Sequence, residues 1–200
     1  MTKQNSMLRS TLRKKRRQCS VYQQRRVEHQ AFRQLIRQPE FLHAQKVGLY
    51  LSAFGEVQTH LLIEYCFQKN KQVFLPMICN MNQHLVWVSI NQNQYRNRRF
   101  AHHALGMREP MTSRGFHVGH LDLLIMPLLA CDRLGTRMGM GGGFYDRTLA
   151  SAPHRPFRLG LAHQFQFLNE ELNKNNWDQG LDALQTEQHF YRFRRHFSQS

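Results

Sequence analysis

Apolar and polar positions follow two rhythms along the chain. KVGLYLS (46–52), QVFLPMI (72–78), HLVWVSI (84–90) and FRLGLAH (157–163) are short runs rich in β-branched and apolar residues, and each predicts a strand. LDLLIMPLLA (121–130) is almost uniformly apolar and predicts one continuous strand of the kind buried on both faces of a parallel sheet. Over residues 6–37 the apolar positions Met7, Leu8, Thr11 and Leu12, then Val27, Phe32, Leu35 and Ile36, recur at helical spacing. They predict one or two amphipathic helices ended by Pro39. GEVQTH (55–60) reads as a loop, with Thr59 placed to cap a helix over THLLIEYCFQKN. A further helix is expected from near Gly143 to about Ala150. Residues 91–121, with RNRR (96–99) and GMREP (106–110), are polar and irregular. In the polar tail, WDQGLDAL (177–184) is the most structured-looking piece.

Strands alternating with helical segments imply an α/β fold. The expectation is a single three-layer domain over 1–200, with a mainly parallel sheet and helices on both faces. A basic helical segment (1–40) precedes it and a basic tail (188–200) follows. In such sheets ligands bind beyond the carboxyl ends of the strands. GEVQTH and RMGMGGGFYDR (137–147) both fall there, on one rim.

Charge changes the picture at one end. Residues 1–37 hold eleven of the 28 Lys and Arg but one of the 13 acids, Glu28, and so carry +10 of the net +15. Such a run attracts polyanions, or is a solvated helix face. No apolar stretch approaches the roughly 20 residues of a membrane span. The four cysteines form no CxxC pair and read as free thiols of a reducing, cytoplasmic compartment. The twelve histidines lack the spacing of a zinc site.

The glycine run carries the most chemistry. Consecutive glycines let backbone N–H groups turn toward one anion, and a following helix adds its N-terminal dipole. Arg137 and Arg147 flank the run, and Asp146 is an oxygen ligand of the kind magnesium prefers. A P-loop needs GK[ST] after the glycines, where FYD stands. A dinucleotide fingerprint needs a third glycine where Phe144 stands. Two readings stay open on chemistry alone: a cradle for a magnesium-bound polyphosphate, or a tight turn packing a helix on the sheet.

DLLIMPLLACDRLGTRMGMGGGFYDRTLA (122–150) resembles the signature of the 5-formyltetrahydrofolate cyclo-ligase (5,10-methenyltetrahydrofolate synthetase) family. That signature is an apolar strand followed by FDxxGxRLGxGGGYYDRxL; Cys131, Met138 and Phe144 replace its Phe, Leu and Tyr. YLSAFGEVQTHLLIE (50–64) resembles the family's YLSxxGEVDTxPLI, KNKQVFLPMI (69–78) its GKxVxLPxV, and GMREP its GIxEP. RLGLAHQFQ (158–166) and WDQGLDALQTE (177–187) resemble the last conserved blocks, so the likeness spans about residues 8–187.

The resemblance implies an ATP- and magnesium-dependent ligase that converts 5-formyltetrahydrofolate to 5,10-methenyltetrahydrofolate. It assigns ATP to Arg9 and to the span Arg137, Met138, Gly139, Met140, Gly141, Gly142, Gly143, Phe144 and Tyr145. The reduced folate falls to Leu51, Glu56 and Tyr145, magnesium to Asp146 and Asp178, and catalysis to Arg137 and Tyr145. In the family's KxxLR pattern the lysine position is Asn5 here, with Lys3 and Lys14 as substitutes. WDQGL replaces the usual WDIPL, and HFYRFRRHF (189–197) matches no family block.

A second class, a nucleic-acid or polyanion binder, rests on the basic N-terminus but lacks any recognition module. The expected partners are therefore ATP and a reduced folate, with no membrane and no nucleic acid, and the expected state is a monomer.

Overall fold

The computed structural model describes residues 3–195 except 80, 105 and 113, and the side chains from residue 5 onward. The basic segment forms two helices, α1 (Lys3–Arg17) and α2 (Val21–Leu35). They part at Ser20, whose side chain makes a reciprocal capping box with Gln23. Pro39 does not end a helix. It opens the short α3 (Pro39–His43), where a missing N–H costs nothing.

The chain continues through β1 (Lys46–Gly48), α4 (His60–Gln68), β2 (Gln72–Cys79), β3 (His84–Ile90) and α5 (Gln92–Arg96). A small hairpin, β4 (Phe100–His102) with β5 (Arg108–Pro110), occupies the stretch expected to be irregular. Then come β6 (Leu123–Pro127), β7 (Ala130–Asp132), β8 (Arg137–Met138), α6 (Phe144–Ala150), β9 (Phe157–Leu161), β10 (Phe167–Leu168), β11 (Ala183–Gln185) and β12 (Phe190–Arg192).

Seven strands form the main sheet in the order β12-β11-β9-β6-β1-β2-β3. Neighbours from β11 to β2 are parallel, and an antiparallel strand closes each edge. Alternation along β6 sends Leu123 and Ile125 to the face covered by α2 and α4, and Leu124 and Met126 to the face covered by α6. The α/β domain with a mainly parallel sheet and a basic leading helix is thus present. Among the described residues no helix is long and apolar enough to cross a membrane.

Three predicted strands are shorter than their runs, FRLGLAH by two residues (β9 ends at Leu161) and two others by more. The 46–52 run leaves the sheet after Gly48, because the chain turns into the loop that holds Glu56. The 121–130 run breaks after Pro127. The Leu128 carbonyl accepts from the side chains of Arg16 (3.1 Å) and Gln166 (2.7 Å) instead of a neighbouring strand, and β7 then joins a second sheet, β10-β7-β8. The polar tail is more ordered than its composition suggests. β11 pairs with β9, and Arg192 and Arg195 of the basic end bond Glu40 and Asp182. Residues 196–200 of the basic tail lie outside the described residues.

Candidate active site

The parallel strands run β2-β1-β6-β9-β11, so the winding reverses between β1 and β6. Beyond the carboxyl ends of those two strands a crevice must open, because the loops leave toward opposite faces. A cleft of about 1060 Å³ lies there, reached by the segments after Gly48 and after Pro127.

The sequence-predicted residues meet in this cleft. Arg9, Leu51, Glu56, the whole span from Arg137 to Tyr145, Asp146 and Asp178 all line it. Asn5 lines it as well. Lys14 is exposed and outside the lining, and the Lys3 side chain lies outside the described residues. Arg9 donates through Nε to the Gly139 carbonyl at 3.3 Å, which joins α1 to the glycine run.

At the run itself, Gly141 has φ +107° and an added Cβ would meet nothing within 4 Å, so bare backbone faces open space. Arg137 and Asp146 form an ion pair at 2.6 Å, with the arginine side chain 3% exposed. The same Asp146 oxygen accepts the Gln179 backbone N–H at 3.0 Å. Arg137 Nε is buried and has no hydrogen-bond partner among the described residues, an orphaned donor beside the run. Arg147 also lines the cleft, with its guanidinium engaged by backbone carbonyls. Its Nη2 holds the Gly142 carbonyl at 2.8 Å and the Gln83 carbonyl at 3.2 Å, and its plane covers Phe144.

Asp178 is turned toward its own loop, where its carboxylate accepts from the Asn175 backbone at 2.8 Å. Among the described residues no three His, Cys, Asp or Glu side chains gather as a metal site. Magnesium keeps waters and needs only one or two protein carboxylates beside phosphate oxygens. Asp146 and Asp178 both line the cleft, the first paired with Arg137 and the second held by Asn175.

The opposite end of the cleft is built by the 50–59 loop. Glu56 accepts the Ala53 N–H at 3.0 Å and lies 3.7 Å from Arg16. Burial raises the Glu56 carboxyl above its ordinary value, and the Arg16 guanidinium opposes that rise only in part. Tyr145 is pushed well up, first by burial and then by the negative charge of Glu56, so its hydroxyl keeps its proton. The loop is tied at three carbonyls: Phe54 by Arg16 (3.0 Å), Gly55 by the His163 ring (3.0 Å) and Val57 by Tyr50 (2.8 Å). Burial also lowers His163, which favours the neutral ring.

Arg16, Tyr50, His163 and Gln179 were not singled out from sequence. A signal for Arg16 existed: Leu8, Leu12 and Arg16 are four apart on α1, and Leu12 is buried. Thr59 is at the start of α4 as expected, but its hydroxyl goes to the Tyr50 carbonyl at 2.6 Å. The α4 N-terminus is capped instead by Glu28 of α2, which accepts the Leu61 N–H at 3.0 Å.

A doubly wound α/β protein with a glycine-lined crevice at its switch point is the class that fold and site define. Residues 1–187 match the 5-formyltetrahydrofolate cyclo-ligase family. The chain belongs to that family. It is 32% identical over 187 residues to the 5-formyltetrahydrofolate cyclo-ligase of Haemophilus influenzae, covering 88% of this chain and 94% of that one. It is 34% identical over 180 residues to that of Escherichia coli, covering 88% and 96%. Among solved structures, the 5,10-methenyltetrahydrofolate synthetase of Aquifex aeolicus superposes with a TM-score of 0.79 at 30% identity, over 98% of this chain and 96% of that one. The synthetase of Mycoplasma pneumoniae, at 18% identity and TM-score 0.72 over 92% and 98%, is alike in fold.

Proposed function

We propose that this chain joins N10 of 5-formyltetrahydrofolate to its formyl carbon at the expense of ATP, giving 5,10-methenyltetrahydrofolate, ADP and phosphate. The observation that carries the reading is the meeting, in one cleft, of a glycine run beside a buried arginine–aspartate pair with a desolvated glutamate.

The oxygen of an N-formyl group is a poor leaving group. Transfer of the γ-phosphoryl group to it releases ADP and leaves an iminium phosphate. N10 then adds to the activated carbon, the C–O bond breaks, phosphate departs and the N10 proton is lost. No enzyme nucleophile is needed, so catalysis rests on alignment and on neutralising phosphate charge.

In this reading Arg9, Arg137 and the backbone from Met138 to Phe144 hold the phosphates. The orphaned Arg137 Nε is a donor in want of an anion. Leu51 packs on the folate, Glu56 accepts from its N–H groups, and protonated Tyr145 lies between the two ligands. Asp146 and Asp178 would hold magnesium, which supplies charge neutralisation and alignment of the phosphates.

The test is the absorbance of 5,10-methenyltetrahydrofolate when the protein meets 5-formyltetrahydrofolate and magnesium, with and without ATP. A rise that requires ATP supports the reading, and no rise from folded protein at any ATP concentration sinks it.

A further inference from the structure

Arg16 is the most deeply buried arginine among the described residues, at 1% exposure, and it comes from the most basic stretch of the chain. Its guanidinium spans both ends of the cleft. Nε donates to the Phe54 carbonyl at 3.0 Å and Nη1 to the Leu128 carbonyl at 3.1 Å. Nη1 also lies 3.7 Å from Glu56, and Nη2 reaches the Met140 sulfur at 3.9 Å. One planar group thus touches the glutamate loop, the end of β6 and the glycine run.

A guanidinium presents five donors in a rigid fork, so shifting one acceptor tilts the plane against the others. Two of its anchors are fixed. The Leu128 carbonyl is shared with Gln166, and the loop behind Phe54 is pinned at Gly55 by His163 and by the close approach of Gly55 to the Arg16 backbone. The Met140 anchor is soft. A thioether is a weak acceptor, Met140 is 42% exposed, and the adjoining Gly141 has open space around it.

We propose that Arg16 is a positioning residue that couples the two halves of the site, so that nucleotide at the glycine run tightens folate at Glu56 and the reverse. The inference rests on the ligase reading for the identity of the two ligands. A ligand that fixes Met140 fixes the fork, and the fork fixes Glu56. The second ligand then orders less of the site as it binds. Thermodynamic linkage makes the effect equal in both directions.

The experiment is calorimetric titration of the full chain with 5-formyltetrahydrofolate, alone and saturated with a non-hydrolysable ATP analogue and magnesium. The wild type should bind the folate about tenfold tighter in the presence of the analogue. In Arg16→Lys, which keeps the charge but cannot bridge, that ratio should fall to within about twofold of one while each ligand still binds alone. A residue that only held the fold together would weaken both single affinities and leave the ratio intact. Met140→Leu, on the exposed run, cuts one anchor without disturbing the interior and should lower the ratio part of the way, which keeps the test open if Arg16→Lys does not fold. A wild-type ratio near one, or a ratio kept in full by Met140→Leu and by any folded Arg16→Lys, overturns the coupling. Failure of the wild type to bind either ligand would instead overturn the ligase reading.

Discussion

Arg137 and Asp146 are nine residues apart in sequence and 2.6 Å apart in space, one at the start of the glycine run and the other in the first turn of α6. The pair closes the run into a ring of backbone. Since Gln179 donates to the same carboxylate oxygen, the ring is also clasped to the 172–179 segment. Asp146→Asn should lower kcat/KM for ATP-dependent methenyltetrahydrofolate formation by about 100-fold or more. It should cost about 1–3 kcal/mol in urea unfolding by leaving Arg137 under-bonded. Turnover unchanged from wild type would remove Asp146 from the reaction.

Two glycines of the site separate steric crowding from backbone strain. At Gly55 (φ +76°) an added Cβ would lie 2.4 Å from the Arg16 carbonyl oxygen, which is backbone and cannot step aside. At Gly141 (φ +107°) the space is open, and the cost is the conformation alone, about 1–3 kcal/mol. Gly55→Ala should therefore lower the unfolding midpoint more than Gly141→Ala. The nucleotide KM should respond more to Gly141→Ala than to other alanine changes of equal stability. Equal loss of stability from both substitutions would contradict the close approach of α1 to the loop.

Glu56 makes stability depend on pH with a definite sign. Its carboxyl is raised in the fold, chiefly by burial, so the folded state holds the proton more readily than the unfolded chain. The stability it contributes is complete below the ordinary carboxylate value of about 4.3 and is lost as pH rises through the raised folded value. In denaturant titrations from about pH 4 upward, Glu56→Gln should gain on the wild type until the pH passes the raised folded value, and then run parallel to it. A difference that stays flat across that range would show the carboxyl to be unshifted.

Glu28 is the one acid of residues 1–37, and its job lies outside the cleft. It is 6% exposed and caps α4 through the Leu61 N–H. Glu28→Ala should cost about 1–2 kcal/mol in unfolding, the ordinary loss of a cap, while KM for both substrates stays at the wild-type value. A shifted folate KM would mean that α4 positions the 50–59 loop more directly than these contacts describe.

The elements legible in the sequence are those with a periodic apolar signal of their own. QVFLPMI, HLVWVSI and FRLGLAH each became a strand, and the glycine run with GEVQTH led to two ends of one cleft because both follow strands on the same rim. Where the 121–130 run broke, distant side chains had taken one of its carbonyls. Nothing local to LLIMPLLA tells that Arg16, more than a hundred residues earlier, will take the Leu128 carbonyl. β11 escaped notice because Ala183–Gln185 is short and gains its burial only from β9 and the covering layers. Arg16 was hidden among RKKRR, where charge masks the four-residue spacing that continues from Leu8 and Leu12. Gln179 reaches Asp146 with its backbone, and a backbone donor has no residue type to read.

Leu8 and Leu172 both pack against the small apolar cluster of Leu12, Ala130 and Met138, which has a consequence for how the molecule is made. The first helix and the 172–178 segment form one wall of the cleft, with Asn5 and Arg9 from one side and Trp177 and Asp178 from the other. A chain still emerging from synthesis acquires its glycine run and its glutamate loop well before that wall can close, since domains complete as units once their last elements arrive. A half-finished copy would have most of a sheet and nowhere to keep a substrate.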